Sequence, residues 1–164
     1  MQVSQALKRT LLLGGDGTAV LDGDQKFTWN DFGARVRKLA GALQKLGIGD
    51  DDKVAVLMLN GHRYLELYNG VSWAGGVVVP LNIRLAPPEL VAQINEAEVK
   101  VLVVDDTFGM MLPSLTPHLT TVKHFVLAHS GPAAGELAHY ETLIEEADEV
   151  DDAGRGGDDV LGTF

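Results

Sequence analysis

Cysteine is absent from the 164 residues. That absence removes disulfides, thiolate metal sites and a cysteine nucleophile, and it fits a reducing compartment such as the cytoplasm. Positive charge is scarce: 13 Lys and Arg face 23 Asp and Glu, for a formal charge of −10. A surface this acidic repels phosphate backbones and anionic lipid, which argues against a nucleic-acid partner and against membrane-surface binding. Long apolar runs are missing too. Leu11-Leu12-Leu13, behind Lys8 and Arg9, ends at once in Gly14-Gly15-Asp16-Gly17. A secretory signal needs about seven to fifteen apolar residues and a spanning helix about twenty, so neither is expected here.

What is present is enough apolar material for a core, 46% of the residues, arranged with clear periodicity. Ala19-Val20-Leu21 and Lys26-Phe27-Thr28 flank Asp22-Gly23-Asp24-Gln25, the pattern of a small hairpin. Thr28 and Asp31 form a shortened capping box ahead of Trp29, Phe32, Val36, Leu39, Leu43 and Leu46, one apolar stripe on a helix that Gly47 closes. Val54–Leu59 is apolar at every position, as in a strand covered on both faces. Asn60 is the expected cap of a second helix bearing Tyr64, Leu67, Tyr68 and Val71, with Gly75-Gly76 at its end. A strand over Val77–Val79, a helix from Pro87, a strand over Val99–Val104, a short helix capped by Asp105, a strand over His124–Leu127 and a last helix from Tyr140 to Ala147 follow. This alternation predicts an α/β fold: a mainly parallel sheet with flanking helices and a small β-hairpin near the amino terminus.

Residues 148–159 are acidic, glycine-rich and nearly without apolar side chains, the composition of a mobile linker. Val160-Leu161-Gly162-Thr163-Phe164 then begins a strand. The expected organisation is an α/β subdomain over 1–147, a linker over 148–159, and the start of a strand over 160–164, where the domain reads as interrupted.

Few side chains group as chemistry requires. Gly14-Gly15-Asp16-Gly17-Thr18 lacks the phosphate-loop spacing and reads as a turn. His62, His118, His124, His129 and His139 show no ligand spacing, so no metal site is expected. Asp22-Gly23-Asp24 and Asp50-Asp51-Asp52 do not extend into a calcium loop and read as solvated turns. No serine sits in a nucleophile elbow, and no catalytic residue is assigned. The remaining candidate is Pro80-Leu81-Asn82-Ile83-Arg84-Leu85, leaving the carboxyl end of a strand, where open α/β sheets bind ligands. Asn82 suits a turn bond to backbone, and Arg84 offers a donor fork for phosphate or carboxylate. On these grounds alone a plain turn with a surface arginine remains the commoner reading.

The run Asn60-Gly61-His62-Arg63-Tyr64-Leu65-Glu66-Leu67, then Trp73-Ala74-Gly75-Gly76-Val77-Val78-Val79-Pro80-Leu81-Asn82-Ile83-Arg84-Leu85, then Pro88-Glu89-Leu90, resembles the adenylate-forming synthetases, especially fatty-acyl-CoA ligases. The Phe27-Thr28-Trp29 entry into a helix ending Leu46-Gly47-Ile48 is similar to the same family. The likeness is clear from Ala19 to Asp106 and loose beyond. It implies an enzyme that activates a carboxylic acid, in this case a fatty acid, with ATP and Mg²⁺, then passes the acyl group from an acyl-adenylate to coenzyme A. In that family a glycine, serine and threonine-rich phosphate loop follows an acidic stretch and a short strand. Here the strand would be 160–164, and the loop, the aromatic-threonine-glutamate motif, the ribose-binding aspartate and the carboxy-terminal lysine are not among these residues.

The resemblance therefore implies an amino-terminal piece that is inactive alone and holds no cofactor tightly. By the same resemblance, Arg84 is the one candidate cofactor-binding residue, toward a phosphate of coenzyme A. Ala86, where relatives often carry Ser or Thr, is a departure. Two alternatives stay open: a stand-alone α/β module that binds a nucleotide or a protein, and an adenylating enzyme with another acyl acceptor. Apolar surface left uncovered would favour a homo-oligomer.

Overall fold

The structure, a computed structural model, describes residues 2–128 and 137–164. His129 lies outside them. Among the described residues the order is α1 (Gln5–Gly14), a hairpin of β1 (Thr18–Asp22) and β2 (Gln25–Thr28), α2 (Trp29–Lys45), β3 (Lys53–Leu57), α3 (His62–Trp73), β4 (Val77–Pro80), α4 (Pro87–Glu96), β5 (Val99–Asp105), the short helices α5 (Asp106–Gly109) and α6 (Leu112–Leu115), a 3₁₀ turn over Thr116–His118, β6 (His124–Ala128), β7 (Ala138–His139) and α7 (Tyr140–Glu145).

Helix α2 forms where its sequence signals converge. Asp31 N–H donates to Thr28 Oγ1 at 3.1 Å, and Asp31 Oδ2 accepts from Thr28 N–H at 2.9 Å. The two N–H groups before it, on Trp29 and Asn30, donate to the carbonyls of Gly17 and Gly15. The glycine turn over 14–17 thus serves as an extended cap. Phe32, Val36, Leu39 and Leu43 are buried on one stripe, as the spacing requires. The hairpin closes through Gly23 and Asp24, with Asp22 opposite Gln25 and Gly23 at φ +56°, a conformation glycine adopts without Cβ strain.

Strands β4, β3, β5, β6 and β7 form a five-stranded sheet in that order, every neighbouring pair parallel. Side chains alternate between its faces. Val54 and Val56 join Val101, Val103 and Val126 in a core shared with Val36 and Leu39 of α2, Leu67 and Val71 of α3, and Tyr140 of α7. Ala55 and Leu57 join Val79, Leu102 and Val104 in a second core under Leu90 and Ile94 of α4 and Leu115 of α6. Helices on both faces explain the unbroken apolar runs of these strands.

Residues 148–159, expected to form a mobile linker, instead lie against the helices. Trp73 Nε1–H donates to the Val150 carbonyl, and Ala153 N–H donates to the Trp73 carbonyl, each at 3.0 Å. Asp152 accepts from Ser4 and pairs with Lys8, both at 2.5 Å. Arg155 is buried and donates to Asp51 and to the Val160 carbonyl. Close passage depends on Gly41, whose missing Cβ would stand 2.3 Å from the Asp148 carbonyl oxygen. Composition forecasts apolar burial; it says nothing of backbone and ionic bonds made to distant residues. Beyond this strap, Val78 N–H donates to the Leu161 carbonyl and its carbonyl accepts from Thr163 N–H, a single parallel bridge at the β4 edge.

The helix caps give a reciprocal test. Helix α4 is capped by Ala86, whose N–H donates to Glu89 at 2.8 Å but whose methyl group returns no bond. Thr28→Ala is expected to cost about 1 kcal/mol and Ala86→Ser to gain about as much. Urea unfolding midpoints of the two variants check both signs.

Candidate functional site

The strand order turns back at β3. The chain leaves β3 toward β4 on one side, then crosses to β5 on the other, and leaves β5 toward β6. The loops at the carboxyl ends of β3 and β5 therefore diverge, which opens a crevice at this switch point. A cavity of about 130 Å³ occupies it, bordered by Asp22, Asn60, His62, Arg63, Tyr64 and Asp105 among others.

Two carboxylates organise this crevice. Asp105 Oδ2 accepts from Leu59 N–H at 2.7 Å and its Oδ1 from Thr107 N–H at 2.9 Å, so one side chain ties the β3 loop to β5 and caps α5. Asp22 reaches in from the hairpin. Its Oδ2 accepts from His62 N–H at 2.9 Å and from His62 Nδ1–H at 2.6 Å. The His62 ring is buried and stacks on Phe27, with centroids 4.8 Å apart. Backbone and side-chain bonds from His62 hold the Asp22 carboxyl below its ordinary value. Burial, together with a bond to Tyr68, pushes the neighbouring Tyr64 hydroxyl up to about 12.

Asp22 corrects two expectations. It is no plain solvated turn residue, and the cap of α3 is not Asn60. Helix α3 starts after Gly61, and the acceptor for its first N–H comes from forty residues upstream. A local window along the chain cannot register that distance.

Behind the crevice lies a charge cluster that the sequence did not disclose. Glu66, fully buried in α3, accepts from Arg35 Nε at 2.5 Å, from Arg35 Nη2 at 3.1 Å and from the Tyr140 hydroxyl at 2.9 Å. Arg35 also donates to Glu141 at 2.8 Å, and Arg63 donates to the same carboxylate at 2.7 Å. Burial alone would lower the Arg35 value, but its bonds to Glu66 and Glu141 hold it above the ordinary range. Burial, then the Glu66 charge, keeps Tyr140 protonated. In Glu141 burial acts upward and is outweighed by Arg63 and Arg35, which hold its carboxyl low. The only local hint is a charged residue next to a core position, Glu66 beside Leu67.

Arg84 is exposed on the β4–α4 turn. Its N–H donates to Asn82 Oδ1 at 3.0 Å, the turn bond that Asn82 suits. Its guanidinium makes no hydrogen bond or ion pair among the described residues, and it does not border the switch-point cavity. Asp22, Asn60, His62 and Asp105 come together; Arg84 stands apart from them. Three of the helices that start at this edge carry a carboxylate at their first turn: Asp22 at α3, Glu89 at α4 and Asp105 at α5. At those three helix starts a phosphate meets negative charge.

Two outcomes test this geometry. Arg35→Ala is expected to cost roughly 3–5 kcal/mol, since it takes the counter-ion from the fully buried Glu66, whereas Tyr140→Phe costs about 1 kcal/mol; equilibrium unfolding reads both. Asp22, Asp31, Glu141 and Asp152 all have lowered carboxyl values. Their contribution is present above the unfolded values near 4 and is lost as pH falls through the folded ones. Stability is expected to drop below about pH 4 and to drop less in Asp22→Asn; urea midpoints from pH 7 to pH 2.5 check this.

Comparison with known proteins supplies the family. The model of the AMP-binding enzyme family matches residues 8–160. The long-chain-fatty-acid–CoA ligase of Thermus thermophilus is 40% identical over 123 residues, covering 75% of this chain and 23% of that ligase. The 3-methylmercaptopropionyl-CoA ligase of Ruegeria lacuscaerulensis is 37% identical over 140 residues, covering 81% of this chain and 25% of that protein. The chain thus spans about a quarter of the length of the curated relatives it matches. In fold it superposes on the anthranilate CoA ligase AuaEII in complex with anthranoyl-AMP, with a TM-score of 0.91 at 23% identity over 99% of this chain and 31% of that one. Coronafacic acid ligase from Pectobacterium brasiliense gives a TM-score of 0.88 at 16% identity over 99% of this chain and 33% of that one. With a family match over most of its length and the parallel sheet and hairpin in place, this chain belongs to the AMP-binding enzyme family.

Proposed function

We propose that these residues are the amino-terminal part of an ATP-dependent acyl-CoA synthetase. The observation that carries this reading is the family match over residues 8–160, joined to relatives that are CoA ligases. The reaction joins a carboxylic acid to ATP, giving an acyl-adenylate and pyrophosphate, and then transfers the acyl group to coenzyme A. A fatty acid is the proposed substrate class, since long-chain and medium-chain fatty-acid–CoA ligases are both 40% identical to this chain. A chain without cysteine suits the cytoplasm, and among the described residues no helix is long and apolar enough to cross a membrane.

The 164 residues are proposed to be silent alone. Adenylate formation requires donors and Mg²⁺ around the transferring phosphoryl group. No glycine, serine and threonine-rich phosphate loop occurs in the sequence, and the Gly14–Gly17 turn gives its carbonyls to the start of α2. Carboxylates occupy the starts of α3, α4 and α5 at the carboxyl edge of the sheet. Residues 160–164 are proposed to begin the strand that leads to the phosphate loop, and the Val78–Gly162 bridge supports that path. Arg84 is proposed to meet a phosphate of coenzyme A: it is exposed, its guanidinium is unengaged among the described residues, and it lies at the ligand-binding edge of the sheet.

The purified 164-residue chain is expected to show no exchange of pyrophosphate into ATP and no saturable micromolar binding of ATP. Exchange would overturn the proposed silence, and tight ATP binding would favour a stand-alone nucleotide-binding module. In a full-length ligase carrying these residues, Arg84→Ala is expected to raise KM for coenzyme A about tenfold, the loss of one charge-assisted bond. Adenylate formation should be unchanged. An unaltered KM would remove Arg84 from the site.

A further inference from the structure

The two-stranded sheet of the hairpin has no third strand on either side among the described residues. Strand β1 pairs with β2 along one edge, and among the described residues no strand pairs with the other. In an antiparallel pair every second residue turns its N–H and C=O outward, so this edge presents unpaired backbone groups. A hairpin of two strands is marginal alone and gains stability when a third strand is added over an apolar face.

A furrow runs along that edge. Two cavities of about 330 and 250 Å³ adjoin at Val20 and Leu65, which border both. Val20, Leu21 and Asp22 all border the larger one. Successive side chains of a strand point to opposite faces. Three consecutive bordering residues therefore mean that the backbone edge of β1 faces the furrow. No residue of β2 borders either cavity. The floor is apolar, with Leu7 of α1 and Trp29 and Phe32 of α2. Leu21 and Leu65 on its rim are 71% and 47% exposed.

We propose that the free edge of β1 receives an extended strand from the part of a CoA-ligase chain that lies outside these residues, making a sheet of at least three strands. The size of the relatives favours this occupant: the solved ligases that superpose over 99% of this chain are only 31% and 33% covered by it, so about two thirds of each lies elsewhere. The β4 edge of the five-stranded sheet, by contrast, is already engaged, because Leu161 and Thr163 bond both sides of Val78. The strand that fits has about five residues to match β1 and apolar side chains at alternate positions toward Trp29 and Phe32. The inference rests on family membership and fold, and is independent of the reaction proposed above.

The test co-expresses the tagged 164-residue chain with the Thermus thermophilus long-chain-fatty-acid–CoA ligase lacking the segment that matches it. Native mass and amide hydrogen exchange are the readouts. A one-to-one complex is expected, with β1 amides exchanging at least tenfold slower than in the chain alone. Leu21→Lys, a change at an exposed position, is expected to lower the yield of complex while leaving the unfolding midpoint of the isolated chain unchanged. Three results would overturn the proposal: no complex, a complex in which β1 exchange is unaltered, or β1 protection in a homodimer of this chain without the ligase remainder.

Discussion

Glu66 is fully out of water in the middle of α3, and a carboxylate in that position is tolerable only when its oxygens are occupied. Arg35 from α2 and Tyr140 from α7 occupy them, and Glu141 with Arg63 completes a cluster of two positive and two negative side chains. Formal charge cancels within the cluster, so burial does not leave a net charge in the core. The geometry of three helices is thereby fixed at one point. Once α3 is held against α2, its first turn stands beside the hairpin that leads into α2. Asp22 can then reach His62, and the switch-point crevice acquires its wall.

The same cluster separates strong from weak electrostatics here. Lys45 and Asp148 meet at 3.6 Å with both side chains mostly exposed, and such a pair contributes about 0–1 kcal/mol. Losing Arg35 costs several times that, because Glu66 stays fully buried without its counter-ion. The ion pairs that hold the 148–159 strap are intermediate: Asp152 is nearly covered, while Lys8 is partly exposed. The strap is accordingly ordered by several modest bonds to α1, α2 and α3 and depends on the prior placement of those helices.

That dependence also marks what the sequence could disclose. Helix α2 is legible almost to the residue, because its cap, stripe and terminating glycine all act within a few positions. The β3 and β5 strands are legible because burial on both faces writes itself as unbroken apolar runs. Helix α1 is not: Leu7 is buried, but Leu12 and Leu13 are 85% and 75% exposed, so its apolar residues do not trace a face. The Asp22 cap, the Glu66 cluster and the strap are equally invisible, since each joins residues tens of positions apart. Arg84 was found at the sequence level only through its place after a strand and its family resemblance; nothing about its solvent-exposed side chain marks it physically.

The arrangement at the carboxyl edge of the sheet bears on the silence proposed above for these residues. A helix amino terminus attracts anions through unsatisfied N–H groups and the positive end of its dipole. At α3 the first of those N–H groups is bonded to Asp22, at α5 Asp105 takes the corresponding place, and at α4 Glu89 folds back on Ala86. Each carboxylate satisfies the helix locally and at the same time places a negative charge where a nucleotide phosphate would otherwise sit. Local stability and phosphate affinity are therefore in opposition along this edge, and stability has prevailed at all three helices. A scaffold built this way can present a cation such as Arg84 to the periphery of a ligand. A cradle for a reacting phosphoryl group needs backbone whose N–H groups are open.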